Sequence, residues 1–207
     1  MSGVLEHAGS LLIPASTIVG ILLAAGRATR FGSDKLLCVL PGSDVAGECI
    51  GATSARHLLA AVSHVIAVVR PDDPALASAL GAVGARVVRC ANADDGMGAS
   101  LAHGVHATSN AAGWIVALAD MPWIRPATIA RVFAALADGA SVAAPFHDGE
   151  RGHPVGFGKS FYEALAALTG DEGAKALVAA NRDRVVRIDV DDPGILRDVD
   201  TPEDLRT

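Results

Sequence analysis

Cysteine is scarce in this chain: Cys38, Cys49 and Cys90 are the only three among 207 residues, and they show no Cys-x-x-Cys spacing. That excludes a disulfide framework and a cysteine zinc site, and leaves three small core residues. Positive charge is also short, with 17 Lys and Arg against 23 Asp and Glu and a formal net charge of −6. A surface for nucleic acid or anionic membrane needs a clustered basic excess, so neither partner is expected and any anionic ligand needs a local site. No apolar run reaches the ~20 residues that cross a bilayer, and the first residues lack a basic stretch followed by an apolar core and cleavage site. The expectation is a soluble cytoplasmic protein. Internal repeats, low-complexity tracts and long linkers are absent as well.

Apolar residues, by contrast, make up 51% of the chain, enough for a sizeable core in one domain. Residues 17–207 read as that domain and residues 1–16 as an N-terminal extension, frayed or packed. Apolar segments at residues 17–25, 65–70, 85–90, 113–120, 141–146, 153–157 and 185–190 read as strands with helical stretches between them. That alternation predicts an α/β fold with a parallel sheet of about seven strands, covered on both faces. A helix is expected over 74–83. Ile129, Val132, Phe133 and Leu136 repeat at i, i+3, i+4 and i+7, which makes that stripe core. Phe161, Leu165 and Leu168 form a second stripe, and a further helix is expected over 171–180. Residues 41–51 are glycine-rich without clear periodicity and read as a longer loop near the site.

The stretch LLAAGRATRFGSDK, residues 22–35, carries the first chemistry. A buried strand ends in Leu23, Ala24, Ala25 and Gly26, where small residues let backbone approach a nucleotide base and ribose. Arg30 then offers a forked donor and Lys35 a mobile point charge, suited to a triphosphate that leaves as pyrophosphate. Two commoner nucleotide motifs are excluded. Gly26 and Gly32 are separated by five residues and Lys35 comes three after Gly32, which is no Walker loop, and no G-x-G-x-x-G is present here. A surface loop with solvated charges is the alternative reading.

Asp120, in ALADMPWI, ends the central strand on the same sheet edge as this loop. Phosphoryl chemistry there calls for a hard cation, and magnesium is held by one or two carboxylates with substrate phosphates and waters. Asp120 is the candidate ligand, its alternative being a turn or helix cap. In ILRDVDTPEDL, residues 195–205, Asp200 to Asp204 read as a helix start, with Asp or Thr as N-cap and proline in the first turn. In GMGASLAHG, residues 96–104, a glycine turn enters a helix whose free amides can bind an anion or the edge of a base. Ser100 sits in its first turn as a cap or a contact. RGHPVGFG, residues 151–158, joins a cation, a glycine, His153 and Pro154 just before a strand.

Taken together, L-A-A-G-x-x-x-R-F-G-x-x-K, L-x-D-M-P and D-x-D-T-P-E-D-L resemble the motifs of the MobA-like nucleotidyltransferases, over nearly all of residues 17–205. The resemblance implies a three-layer Rossmann-like nucleotidyltransferase fold with a mostly parallel sheet. It implies Arg30, Lys35 and Asp120 as catalytic residues, and Leu23, Ala24, Ala25, Gly26, Arg30, Lys35, Gly96 and Ser100 around the nucleotide. Magnesium would lie on Asp120 and on Asp200, or on Asp198 in its place. Arg151, Gly152, His153 and Pro154 match a motif that in the family faces an acceptor pterin. That motif, with Ala24-Ala25 where relatives have Ala-Gly or Gly-Gly, resembles the molybdenum cofactor cytidylyltransferase branch. The implied substrates are CTP and molybdenum cofactor, with a molybdoenzyme or its maturation chaperone as recipient.

No Ser-His-Asp order or activated cysteine is present, and none is needed, because the acceptor's own phosphate can attack the α-phosphate of the nucleotide. Two other readings stay open on the residues alone: a nucleotidyltransferase for a sugar phosphate or other phosphorylated alcohol, and a non-catalytic cofactor carrier. The combination of Arg30, Lys35 and Asp120 argues against the carrier, since pterin binding alone needs no metal carboxylate.

Overall fold

The computed structural model describes residues 13–26, 31 and 34–206. Arg30, expected to be catalytic, therefore lies outside the described residues, as do Gly32 and most of the 1–16 extension. Within residues 13–16, Ile13 is packed into the core and Thr17 N–H donates to Pro14 O at 2.9 Å.

Among the described residues eight strands form one sheet: β1 (Ile18–Leu23), β2 (Val65–Val69), β3 (Arg86–Arg89), β4 (Gly113–Leu118), β5 (Val142–His147), β6 (Glu150–Arg151), β7 (Val155–Gly158) and β8 (Val185–Asp189). Their order is β3-β2-β1-β4-β7-β5-β6, with β8 on the other side of β5. The pairs among β3, β2, β1 and β4, and the β5–β8 pair, are parallel, whereas β7 runs antiparallel between β4 and β5. The two-residue β6 is the strand that sequence periodicity had no length to reveal.

Among the described residues six α-helices cover the two faces: α1 (Ile50–Ala61), α2 (Pro74–Ala82), α3 (Met97–Ala107), α4 (Pro126–Ala137), α5 (Tyr162–Ala166) and α6 (Lys175–Ala180). Strand side chains alternate between the faces, as the two-residue period requires. Ile18, Leu22 and Ala24 join α1, α2 and α4 in one hydrophobic cluster; Val19, Ile21, Leu23 and Ala25 join α3, α5 and α6 in the other. Each fully buried Leu or Ile contributes roughly 1.5–3 kcal/mol. The fully buried Trp114 of β4 donates its indole N–H to Thr108 Oγ1 at 2.9 Å, so its one polar atom is satisfied.

Three sequence expectations shift. The loop expected over 41–51 ends two residues early, because Ile50 and Gly51 already belong to α1, seven of whose twelve residues are buried. A helix buried on most of its faces shows no amphipathic stripe, which is why periodicity missed it. The helix expected over 171–180 starts only at Lys175, residues 171–174 forming a turn that seats Gly173 beside Met97. The segment from Asp200 makes a single 3-10 helix, Pro202–Arg206, and its cap runs in the reverse sense: the Asp204 carboxylate accepts from the N–H groups of Asp200 and Thr201 at 2.9 and 2.7 Å.

Candidate functional site

The carboxyl ends of β1, β2, β3 and β4 open into a cleft of about 1180 Å³. Leu23, Ala24, Ala25, Gly26, Lys35, Gly96, Ser100, Asp120 and Asp200 all line it. The chain extends the sheet past β1, with Ala24 N–H donating to Val68 O at 2.9 Å and Ala119 N–H donating to Leu23 O at 3.0 Å. The alanine methyls pack into the two opposite clusters, at 3% and 4% exposure, so what Ala24 and Ala25 offer the cleft is backbone.

Lys35 opens a one-turn 3-10 helix, Lys35–Leu37, and its side chain is only 12% exposed. Its ammonium donates to Asp120 Oδ2 at 2.8 Å and lies 3.7 Å from Asp200 Oδ1. Two hydrogen bonds to backbone carbonyls hold the Ala119-Asp120 segment there. Buried Ser54 of α1 donates to Ala119 O at 2.8 Å, and Val199 N–H donates to Asp120 O at 2.8 Å, which ties the C-terminal segment to the end of β4. Val199 also packs with Phe31, Leu40 and Ile50, so one small cluster joins Phe31 to the Asp198–Asp200 stretch. Burial raises the pKa of Asp198, and the nearby charges of Asp200 and Asp120 raise it further while Lys35 opposes them. Two carboxylates therefore pair with one ammonium, and a third stands near them.

Gly96 has φ +105°, and a Cβ there would lie 2.4 Å from the Gly170 carbonyl carbon. The helix start is closed over by this loop: Gly98 N–H donates to Gly170 O at 2.7 Å and so is spent, against the expectation that the amides of this turn are free. Ser100 is buried beside Cys90 as the fourth residue of α3, whose N-cap position is taken by Gly96.

A second cavity of about 240 Å³ lies next to the cleft, lined by Leu118, Met121, Glu150, Arg151, Gly152, His153, Ile195, Leu196 and Asp198. Leu118 lines both spaces. Gly152 N–H donates to Pro145 O and His153 N–H to Ile195 O, each at 3.0 Å. A Cβ on Gly152 would lie 2.3 Å from Ile195 O, so only glycine fits. Pro154 is buried and does not line the cavity. Burial, then the charge of Arg151, lowers the His153 pKa to about 4 against the opposing pull of Asp120, which keeps the ring neutral at pH 7. Its Nδ1 is buried without a hydrogen-bond partner among the described residues.

Sequence reasoning missed Arg70, which follows β2. Its Nη2 donates to Asp94 Oδ1 at 2.8 Å, its Nε lies 3.3 Å from Asp72 Oδ1, and its Nη1 donates to Ala25 O at 3.5 Å. Only strand pairing brings these segments together. The single clue in the sequence was a cation at the same strand end as the glycine turn. Two further polar groups are structural. The buried carboxylate of Asp192 accepts from Arg125 N–H and Thr128 Oγ1, at 3.0 and 2.5 Å. Glu48 accepts from Thr53 Oγ1 and Arg56 Nε, at 2.8 and 3.1 Å, and anchors the loop before α1.

Comparison with known proteins gives the same architecture. The sequence model of the MobA-like NTP transferase domain matches residues 20–185. Purine catabolism protein PucB of Bacillus subtilis is 29% identical over 90% of this chain and 93% of its own length. Phosphoenolpyruvate guanylyltransferase of Thermomonospora curvata is 40% identical over 71% of this chain and 63% of its own. 2-C-methyl-D-erythritol 4-phosphate cytidylyltransferase of Cereibacter sphaeroides is 36% identical over 68% and 65%. Among solved structures, Rv0371c of Mycobacterium tuberculosis H37Rv superposes with TM-score 0.75 at 28% identity, covering 93% of this chain and 97% of that one. A complex of Rv0371c with manganese superposes with TM-score 0.73 at 27% identity, covering 92% and 97%.

Proposed function

The chain belongs to the MobA-like NTP transferase domain family, and we propose that it transfers CMP from CTP to the terminal phosphate of molybdenum-bound molybdopterin, releasing pyrophosphate. The observation that carries this reading is the meeting of Lys35, Asp120 and Asp200 beside the shared wall of a large cleft and a smaller cavity. A donor in one space and an acceptor in the other would meet at those charges.

The reaction needs alignment more than a protein nucleophile. An acceptor phosphate oxygen bonds to the α-phosphorus as the bond to the β-phosphate oxygen breaks, and pyrophosphate carries the electron pair away. Holding both groups in place is worth on the order of 7–11 kcal/mol at its best. Lys35 neutralises charge on the departing group, with Arg30 assigned the same task from sequence. His153, neutral and half-enclosed in the smaller cavity, can donate or accept a hydrogen bond to the acceptor without adding charge.

The residues present fit a divalent cation. Asp120 and Asp200 already share one positive charge. Among the described residues no three His, Cys, Asp or Glu side chains form a complete cage, so substrate phosphates and waters would fill the remaining oxygen positions, as they do around magnesium. Bound there, magnesium would polarise phosphate oxygens as a Lewis acid.

CTP as donor and a pterin acceptor rest on the resemblance of the Ala24-Ala25 pair and the Arg151-Gly152-His153-Pro154 segment to the motifs of the cytidylyltransferase branch. The second reading, transfer to a phosphorylated alcohol, is favoured by the relative named for 2-C-methyl-D-erythritol 4-phosphate. Among the described residues no disulfide joins the three cysteines, which suits a reducing cytoplasm, where the recipient would be a molybdoenzyme or its maturation chaperone. Purified protein, α-labelled CTP and magnesium, offered molybdenum cofactor or methylerythritol phosphate, decide between acceptors. Label on the pterin supports the proposal; label only on the alcohol moves it to the second reading.

A further inference from the structure

Arg70 has no task in the reaction as proposed, yet it is built into the large cleft with a side chain only 12% exposed. Three chain segments converge on its guanidinium: the turn after β1 through Ala25 O, its own turn through Asp72, and the turn after β3 through Asp94. Enclosing a cation is costly unless it is paired, and here two carboxylates pair it. A planar fork holds several acceptors in fixed directions, which the point charge of a lysine does not.

Its place in the sheet indicates which part of a ligand it serves. β2 and β4 flank β1 on opposite sides, Leu23 pairing with both Val68 and Leu118. Neighbouring strands lie ~4.8 Å apart, so the ends of β2 and β4 are separated by about 10 Å, comparable to the length of a nucleoside. The inference rests on the reading above: with the phosphates at Lys35 and Asp120, the base reaches toward Arg70. The charge of Arg70 is committed to Asp72 and Asp94, and so it is poorly suited to a phosphate.

We propose that Arg70 is the positioning residue of the nucleobase pocket, holding the Asp94 carboxylate and the Ala25 carbonyl at a set separation and thereby selecting the base. A carboxylate has about four acceptor sites, so one bonded to Arg70 can also accept from a base. Such an acceptor wall favours bases with an exocyclic amino group over uracil, which presents a carbonyl where cytosine has its amino group. CTP and UTP are nearly the same size, so their ratio reads hydrogen bonding rather than fit.

The test is calorimetric titration of the full chain in magnesium with CTP, GTP, ATP, UTP and inorganic tripolyphosphate. For Arg70→Met, affinity for the preferred amino-bearing nucleotide should fall about tenfold or more and its ratio over UTP should shrink, with tripolyphosphate binding held within about twofold. Arg70→Lys, which keeps the charge but loses the fork, should leave the ratio shrunken. Equal losses for nucleotide and tripolyphosphate would make Arg70 a phosphate counter-ion and overturn the inference, as would an unchanged ratio. If Arg70→Met shows no cooperative thermal transition, Asp94→Asn takes its place and must shrink the same ratio; an unchanged ratio there overturns the inference too. A wild-type preference for GTP would sink the cytidylyl donor but leave Arg70 judged by the GTP over UTP ratio. Wild-type protein that prefers UTP overturns base selection alone. Protein that binds no nucleoside triphosphate better than tripolyphosphate overturns both this inference and the reading beneath it.

Discussion

The ammonium of Lys35 donates a 2.8 Å hydrogen bond to the carboxylate of Asp120, a residue 85 positions further along the chain. Asp200 approaches the same ammonium at 3.7 Å from the C-terminal segment. Lys35 thus occupies the space between the two carboxylates assigned to a metal. Its charge offsets theirs, and a ligand bringing its own cation competes with it.

Asp120→Asn should lower nucleotidyl transfer by at least 10²–10³-fold, the order seen when a group that stabilises transition-state charge is lost. The fold should survive, because a part-buried pair at a strand end is worth about 1–2 kcal/mol, or a few degrees of thermal midpoint at this size. Parallel activity and melting measurements separate the two effects. Ordinary turnover at ordinary magnesium would remove Asp120 from the site.

Lys35→Ala should act in opposite directions on two ligands. Manganese added without nucleotide should bind on the order of tenfold tighter, since two carboxylates relieved of an ammonium make a better divalent site. CTP should bind more weakly by ~1.5–3 kcal/mol, the worth of a charge-assisted contact to phosphate. Electron paramagnetic resonance of free manganese and calorimetry with CTP read the two affinities. Manganese binding that is unchanged or weaker would show that Lys35 does not compete with the metal.

His153 gives a stability signature against pH. Its pKa falls from an ordinary 6.5 to about 4 on folding, through burial first and then the charge of Arg151. Between those values the unfolded chain binds a proton that the folded chain excludes. Its contribution is therefore complete above pH 6.5 and is lost as pH falls toward 4, by ~3 kcal/mol in all. Urea unfolding of wild type and His153→Gln at pH 7 and pH 4.5 should show the wild type losing more. Equal losses would mean the ring titrates normally.

Ala25→Gly should not widen the base pocket, because the Ala25 methyl packs into the core against α3. The expected cost is about 1.5 kcal/mol, from one lost methyl and the added freedom of the unfolded chain. The ratio of CTP to GTP affinity should stay at the wild-type value. A rise in GTP binding would put the methyl in the pocket after all.

Gly152→Ala forces a Cβ to within 2.3 Å of the Ile195 carbonyl oxygen. Because that contact is with backbone, the two segments must part, at a cost of about 1–3 kcal/mol. Acceptor KM should rise with the drop in melting temperature while CTP affinity holds. A loss of CTP binding equal to the loss of acceptor binding would show that the two spaces are not separate subsites.

Much of this molecule could be read from local chemistry. Apolar-rich segments marked seven of the eight strands among the described residues, and the i, i+3, i+4, i+7 stripe of α4 marked its buried face, because a two-residue or 3.6-residue period survives in the sequence whatever the partner. Strand-end glycines and the charges at Lys35 and Asp120 were legible for the same reason: residues near a strand's carboxyl end face the ligand edge of an open α/β sheet. What the tertiary structure alone decided depends on pairing. Insertion of antiparallel β7 between β4 and β5, the burial of α1 on most of its faces, the opposite directions taken by the Ala24 and Ala25 methyls, and the closure of Gly170 over Gly98 all follow from which elements pack together. Arg70 is the clearest case. Its two hydrogen-bond acceptors, Ala25 O and Asp94 Oδ1, lie on separate segments of the chain, and only the parallel alignment of β1, β2 and β3 brings them to one guanidinium.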